Sequence, residues 1–309
     1  MNRLNIAYAK AICYSGFRDG QSPETGIFPS YEEVKEDLLM LHGHWQYLRL
    51  YDCDPHSATV LNVIEQEKLD FKVMLGAYIV AELSNPNCPW GGIYSEKQLK
   101  VNKAQNKAKI NTLVEMANRY PDIIFSLSAG NEAAVEWTDH LVPVESLIEY
   151  VSTIKRGAKQ AVTFCDNYVP WLDKLEPIVE LVDFISIHSY PVWEYKGINE
   201  GLSFTKQNYY DVVNRYPEKP VVITEAGWAT NSNGRGIDPE NVSEELQRIY
   251  YQDLMTWCDE EKILTFVFEA FDESWKGSPE PLEPEKHWGL FKVDRKPKLV
   301  LQDLFDSHD

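Results

Sequence analysis

The chain alternates between short apolar runs and longer segments with helical periodicity. Eight runs are apolar and rich in β-branched residues: Leu4–Ala9, Tyr47–Tyr51, Phe71–Tyr78, Ile123–Ser128, Ala161–Cys165, Val182–His188, Val221–Thr224 and Leu264–Phe271. Because their hydrophobicity is nearly continuous rather than alternating, they suit strands that are buried on both faces, as in a parallel sheet. The pattern therefore predicts a parallel sheet at the centre of the fold.

Amphipathic segments separate these runs, and the predicted helices are Tyr31–His42, Ser95–Arg119, Val144–Ala158, Thr205–Arg215 and Val242–Glu261. Ser30 and Glu33 form a capping-box signature at the start of the first helix. Strands that alternate with helices indicate βαβ units. Eight such strands predict one α/β domain, a single (β/α)8 TIM barrel over residues 1–309. A doubly wound open sheet is the alternative, disfavoured because no glycine-rich turn follows the first strand.

Composition narrows the classes of partner. The 48 acidic and 30 basic side chains give a net charge of -18, which repels phosphate backbones and anionic membranes, so neither nucleic acid nor membrane is an expected partner. No run approaches the roughly 18–20 apolar residues of a membrane span. The first residues lack the apolar segment of a secretory signal, which predicts a cytoplasmic location for the chain as given, or a periplasmic or secreted one if it is trimmed.

The cysteines and short motifs indicate neither a metal nor a cofactor. The five cysteines are widely spaced, which favours reduced thiols: Cys13, Cys53, Cys88, Cys165 and Cys258. The sequence contains no H-E-x-x-H, no phosphate-binding G-x-x-x-x-G-K-[ST] and no G-x-G-x-x-G. We therefore predict catalysis, if any, by side chains alone.

Two glutamates follow predicted strands directly. Glu132 ends the fourth strand in Ser128-Ala129-Gly130-Asn131-Glu132, and Glu225 follows Thr224 in the seventh. The carboxyl ends of barrel strands build the active site, so these two side chains are expected to face each other. Such a pair suits cleavage of a glycosidic bond, in which a protonated carboxyl assists the leaving oxygen and an ionised one attacks or activates water. One such glutamate could merely cap a helix or pair with an arginine; two favour catalysis.

The tryptophans point to the same kind of ligand. Six of the nine follow predicted strands: Trp90, Trp137, Trp171, Trp193, Trp228 and Trp275. Aromatic faces can stack on the apolar C–H faces of sugar rings, although some of these rings could simply cover the core. The bias of the set towards loops favours a carbohydrate ligand.

Five segments, in chain order, carry a family resemblance. They are Gly16–Pro23, Leu48–Asp52, Gly130–Glu132, Thr224–Trp228, and Phe271–Glu273 together with Lys276, Glu285 and Trp288–Phe291. The chain resembles glycoside hydrolase family 17, the β-1,3-glucanases and related glucanosyltransferases, and is most similar to its compact bacterial members. Gly-Asn-Glu alone is a weak signal, but the ordered set is specific.

The resemblance implies a (β/α)8 barrel and a retaining double displacement, with Glu132 as acid/base and Glu225 as nucleophile. Neighbouring donors would keep Glu225 ionised, and Tyr190 is one candidate. Asn131 would bind the sugar 2-hydroxyl. Further positions implied to bind the substrate are Tyr51, Tyr190, Glu273 and Lys276 around the cleaved bond, and Trp228 as a wall of the cleft.

These inferences predict a monomeric hydrolase that cleaves β-1,3-glucan, such as laminarin, or its oligosaccharides. The β-1,3 linkage is implied by the resemblance alone. A glucanosyltransferase with the same site is the nearest alternative, followed by a hydrolase of other β-linkages such as mannan or cellulose, and by a non-catalytic glucan-binding protein. His188, at the end of the sixth strand, could reach the sugar or be a satisfied histidine at the barrel mouth.

Overall fold

In the computed structural model, which describes residues 7–305, eight parallel strands close into a barrel in chain order. The strands are Ala11–Cys13 (β1), Tyr47–Leu50 (β2), Lys72–Gly76 (β3), Ile124–Asn131 (β4), Ala161–Asn167 (β5), Ile185–Ser189 (β6), Val221–Ala226 (β7) and Thr265–Val267 (β8). Each strand pairs with the next, and β8 pairs with β1 to close the ring. The predicted (β/α)8 barrel is confirmed, and the open sheet is wrong.

Helices follow the strands on the outside of the barrel. They are Tyr31–Leu41 (α1), Pro55–Glu67 (α2), Glu96–Arg119 (α3), Val144–Gly157 (α4), Tyr168–Trp171 (α5), Glu176–Val179 (α6), Ile198–Arg215 (α7), Glu244–Glu261 (α8) and Gln302–Phe305 (α9). The capping box of α1 is confirmed, since Ser30 and Glu33 bind each other's backbone N–H groups. None of the helices within residues 7–305 has the length and apolar character needed to cross a membrane.

The first strand lies later in the chain than the apolar pattern predicted. Of the predicted run Leu4–Ala9, residues 4–6 lie outside the described residues, and residues 7–9 form no strand. Pairing with β2 begins at Lys10, whose carbonyl accepts hydrogen bonds from the backbone N–H groups of Gln46 and Tyr47. β1 is fully buried, whereas Ala7 is exposed. The first barrel strand is therefore formed by Ala11–Cys13 and not by the residues before it.

Two glycines allow the strands that carry the predicted catalytic residues to pack closely. A Cβ at Gly130 would lie 2.7 Å from the Phe164 ring, and one at Gly227 would collide with the carbonyl of Phe268. The register of β4 against β5 shifts between Ser128 and Asn131. Such irregularities redirect side chains at the ends of strands, and here they turn the end of β4 towards the barrel mouth.

Candidate active site

Glu132 and Glu225 lie opposite each other at the mouth of the barrel, with His188 between them. One oxygen of each carboxylate and one ring nitrogen of His188 all lie within 4.8 Å of one another. The Nδ1 atom of His188 is 2.8 Å from Oε1 of Glu132 and 3.4 Å from Oε2 of Glu225. The structure thus brings together the two glutamates that the sequence singled out.

Glu225 is buried among hydrogen-bond donors. The Arg49 guanidinium donates to its Oε1 atom, and the Tyr190 hydroxyl donates to its Oε2 atom at 2.5 Å. Burial alone would raise the pKa of Glu225, but the positive charges of His188 and Arg49 and the Tyr190 donor hold it well below its usual range. Glu225 is therefore an anion, as a nucleophile must be.

His188 carries a positive charge at neutral pH. Burial alone would lower its pKa, but the Glu225 carboxylate and hydrogen bonds to Cys165 and Glu132 raise it to about 10. Both ring nitrogens of the imidazolium are then donors, and Nδ1 is the one that faces the two carboxylates. The short distances between Glu132, His188 and Glu225 are those of hydrogen-bonded groups of opposite charge.

Glu132 is the more accessible of the two carboxylates, with 30% of its side chain exposed against 6% for Glu225. Its backbone has a φ of 45°, a left-handed conformation that is uncommon outside glycine. Hydrogen bonds on both sides hold this turn: the N–H of Glu132 donates to the Cys165 carbonyl at 2.9 Å, and that of Ala134 donates to the Asp166 carboxylate at 2.8 Å. The turn directs an accessible carboxyl towards the cleft from a fixed backbone.

Asn131 is held by Arg49 and His140. Its Oδ1 atom accepts from Nη2 of Arg49 at 2.5 Å, and its backbone carbonyl lies 2.8 Å from Nε2 of His140. Because a guanidinium only donates, Oδ1 must face Arg49, and the amide nitrogen remains as a donor for a ligand. Arg49 thus orients Asn131 and Glu225 together.

A second charged group follows β8. Lys276 Nζ lies 2.8 Å from Oε2 of Glu269 and 2.5 Å from Oε2 of Glu273, and Ser15 donates to Glu273 at 2.5 Å. Burial raises the pKa of Glu269 and would raise that of Glu273, but Lys276 and the hydrogen bond from Glu269 lower the latter. The charge of Lys276 also acts on Glu285. Burial raises the pKa of Glu285 to about 7, although Lys276 acts to lower it. The group offers a hydroxyl-rich ligand both donors and acceptors.

Aromatic rings frame this arrangement. Tyr190 packs edge-on against Trp288 at 5.0 Å and Phe268 at 5.5 Å between ring centroids. The Arg49 guanidinium lies 4.4 Å from the centroid of the Tyr51 ring. Tyr51 and Tyr190, both singled out from the sequence, therefore stand beside the reacting carboxylates.

Trp228 does not line the cleft, so its predicted role as a wall is corrected. The residue is 1% exposed, its Nε1 donates to the Asn241 carbonyl at 2.8 Å, and its ring packs on Tyr250 at 5.2 Å. It lies two residues after β7, and its ring packs between the barrel and the helices. Its buried position leaves no face for a sugar.

Sequence reasoning missed Arg49 and Glu269 as site residues. Arg49 lies inside the apolar run Tyr47–Tyr51, and a buried arginine in a strand requires a carboxylate partner, which was the available signal. Glu269 lies inside the predicted apolar run Leu264–Phe271, and a carboxylate within such a run was the corresponding signal.

Comparison with known sequences places the chain among glycoside hydrolases. A family model described as the BtgE/BtgC glycoside hydrolase domain matches residues 11–289. The chain is 21% identical to the glucan 1,3-beta-glucosidase of Arthroderma benhamiae, over 96% of this chain and 94% of that protein. It is 25% identical to the probable glucan endo-1,3-beta-glucosidase btgC of Aspergillus clavatus, where the match covers 89% of this chain and 40% of that protein.

Solved structures show the same architecture. An endo-laminarinase from Formosa Hel1_33_131 superposes with a TM-score of 0.83 at 27% identity, over 96% of this chain and 86% of that one. A β-1,3-glucanosyltransferase from Rhizomucor miehei, an active-site mutant in complex with laminaritriose, gives a TM-score of 0.73 at 20% identity, over 94% and 96% of the two chains, a likeness of fold. The match over residues 11–289, together with the ordered motifs, establishes that the chain belongs to the BtgE/BtgC glycoside hydrolase family, a GH17-like β-1,3-glucanase family.

Proposed function

We propose that this protein cleaves β-1,3-glucan or its oligosaccharides by a retaining double displacement, with Glu225 as nucleophile and Glu132 as acid/base. The observation that carries the proposal is the spacing of the two carboxylates, whose nearest oxygens lie within 4.8 Å. Retaining enzymes keep their two carboxyl groups about 5–5.5 Å apart, and a pair of oxygens within 4.8 Å is compatible with that separation.

In the first step, an oxygen of Glu225 attacks the anomeric carbon while the bond from that carbon to the leaving oxygen breaks. Glu132 gives its proton to that oxygen, so the leaving chain departs as an alcohol and a glycosyl ester forms on Glu225. In the second step, Glu132 accepts a proton from water, whose oxygen attacks the anomeric carbon and releases Glu225 as a carboxylate. Glu225 is buried among donors that keep it ionised, whereas the more exposed Glu132 can reach the leaving oxygen and then water.

His188 balances charge through both steps. Its Nδ1 atom lies within 3.4 Å of both carboxyl groups, so it can pair with whichever of Glu132 and Glu225 is ionised. When Glu225 becomes an ester and loses its charge, Glu132 has just lost its proton and becomes the anion that His188 pairs with. The imidazolium thereby remains matched by one nearby anion along the reaction.

The remaining contacts would position the sugar at the cleaved bond. The Asn131 amide nitrogen is a donor for the 2-hydroxyl, a contact that strengthens as positive charge develops on the ring. Tyr51, Tyr190 and Lys276 would line the same subsite. Glu273 is fully buried, so its predicted contact with the sugar is replaced by a role in holding Lys276. The names of two relatives, a glucan 1,3-beta-glucosidase and an endo-laminarinase, support a β-1,3-linked glucan as substrate.

The test is a time course on laminarin and short laminari-oligosaccharides, resolved by product length and run beside Glu225→Gln. We expect shorter products that depend on Glu225, with their sizes revealing endo or exo cleavage. Products longer than the substrate would instead indicate glucanosyl transfer, in which a sugar hydroxyl replaces water. No product from a folded wild-type protein, beside cleavage of mannan or cellulose oligosaccharides, would refute the assigned linkage.

A further inference from the structure

A second cavity opens beside the turn that carries Glu132. Its volume is about 470 Å³, and it lies between α3 and the loops that follow β3 and β4. Its polar and aromatic lining consists of Tyr78, Tyr94, Gln98, Asn102, Gln105, Asp139 and His140. We call it the α3 cavity; of its lining residues, the site described above uses only His140, which holds Asn131.

The lining has the chemistry of a sugar-binding site. Gln98, Asn102 and Gln105 share one face of α3, since they are four and three residues apart along the helix. Gln98 donates to Asn102 at 2.7 Å, and Asn102 donates to the Ala81 carbonyl at 2.8 Å, so the amides are fixed in orientation. Tyr78, which is 36% exposed, supplies an aromatic face. A pocket of this volume is within the usual range for small ligands, roughly 300–1,000 Å³.

The α3 cavity lies on the Glu132 side of the reacting pair. Nε2 of His140 is 2.8 Å from the carbonyl of Asn131, the residue before Glu132, and the Tyr78 ring packs on His140 at 5.0 Å. Burial and the Asp139 and Glu132 carboxylates together raise the pKa of Tyr78, which is consistent with this proximity. Glu225, by contrast, is enclosed by Arg49 and Tyr190 on the other side.

This position assigns the cavity to one half of the substrate. An acid/base residue stands next to the oxygen of the leaving group, so the chain that departs in the first step extends from Glu132 away from Glu225. We propose that the α3 cavity binds a glucosyl residue of this leaving chain and, in the second step, a sugar acceptor. The inference rests on the proposed function. It adds a preference for substrates with sugars on the leaving side and a site for the acceptor in glucanosyl transfer.

Two exposed tryptophans lie on the same two loops. Trp90 follows β3 and is 58% exposed, and Trp137 follows β4 and is 41% exposed. The loops approach each other closely, since a Cβ at Gly91 would lie 3.7 Å from the Cβ of Asp139. Exposed aromatic rings of this kind offer a longer glucan further stacking surfaces.

The test compares a donor whose leaving group is a sugar chain with a donor whose leaving group is not a sugar. Laminarihexaose places sugars on both sides of the cleaved bond, whereas β-laminaribiosyl fluoride has fluoride as its leaving group and places none on the Glu132 side. For Tyr78→Ala we expect kcat/KM to fall about tenfold on the hexasaccharide, mainly through KM, because a stacking face is lost. On the fluoride, kcat/KM should stay within about twofold, and Tyr78→Phe, which keeps the ring, should restore the hexasaccharide rate.

Gln98→Ala should act in the same direction as Tyr78→Ala, with Gln252→Ala on the exposed face of α8 as its matched control. Equal losses on both donors would overturn the proposal, because Tyr78 would then act through the position of Glu132. An unchanged hexasaccharide rate in Tyr78→Ala and Gln98→Ala would overturn it as well. A folded wild-type protein that cleaves neither donor would refute the proposed function itself, which keeps the two failures distinct.

Discussion

The Tyr190 hydroxyl offers a sharp test of how Glu225 is kept ionised. Tyr190→Phe removes one oxygen and its hydrogen bond to Oε2 of Glu225, while the ring keeps its packing on Trp288 and Phe268. Arg49 and His188 continue to face the carboxylate. The substitution therefore isolates one donor in a group of three.

The magnitude follows from the class of hydrogen bond that is lost. A hydrogen bond to a charged group contributes about 1.5–3 kcal/mol, which corresponds to a loss in kcat/KM of roughly 10- to 150-fold if the bond serves the transition state fully. The Tyr190 donor lowers the pKa of Glu225, so its removal raises that pKa. Because Glu225 must be ionised to attack, the acid limb of the pH profile should move upward by roughly 1–2 pH units.

The assay is the pH dependence of kcat/KM on laminarihexaose for the wild type and Tyr190→Phe. Tyr14→Phe is the matched control, since Tyr14 is a buried tyrosine that donates to the buried Asp37 carboxylate at 3.1 Å, in a separate cluster with Arg295. The control should lose stability and retain its acid limb. An unmoved acid limb in Tyr190→Phe, or an equal shift in both variants, would refute this account of Glu225.

Other predictions concern the remaining groups of the site. Glu132→Gln should slow cleavage of natural glucans far more than that of activated aryl glycosides, and azide should rescue only the latter; equal losses would exclude Glu132 as the acid. The pKa of His188 is raised to about 10, so its stabilising contribution is complete below its ordinary value near 6.5 and is lost as pH rises through about 10. Denaturation curves should show this decline, and His188→Gln should abolish it. Asp166→Ala should cost about 1–3 kcal/mol in urea unfolding and lower kcat, because the buried Ala134 N–H loses its acceptor, and Asp166→Asn should recover much of both.

The barrel was predictable because its strands are buried on both faces and therefore appear as continuous apolar runs. The apolar pattern predicted the bounds of a strand less well where backbone pairing with the neighbouring strands, rather than hydrophobicity, decides where the strand begins. The run Leu4–Ala9 is apolar like Ala11–Cys13, and the strand forms at the later run, which pairs with both β2 and β8. α2 was missed although Asp54 caps it and Pro55 occupies its first turn, both recognisable start signals.

The site was predictable where chemistry stands at the end of a strand, and less so where it depends on closure of the barrel. Glu132 and Glu225 each follow an apolar run, which marks them in the sequence. Arg49 and Glu225 are 176 residues apart and meet only because β2 and β7 contribute to one ring. Trp228 lies close to Glu225 in the sequence, but the sequence does not indicate the direction of its ring. In the structure the ring packs on Tyr250, away from the cleft.

Capture of the covalent intermediate would identify the nucleophile. A 2-deoxy-2-fluoro β-laminaribiosyl fluoride slows the second step more than the first, so the glycosyl ester should accumulate and be visible by mass spectrometry of the intact protein and its peptides. We predict one added disaccharide on the peptide that contains Glu225, none in Glu225→Gln, and products of retained β configuration from the natural substrate. A label on another residue, or an inverted product, would contradict the mechanism.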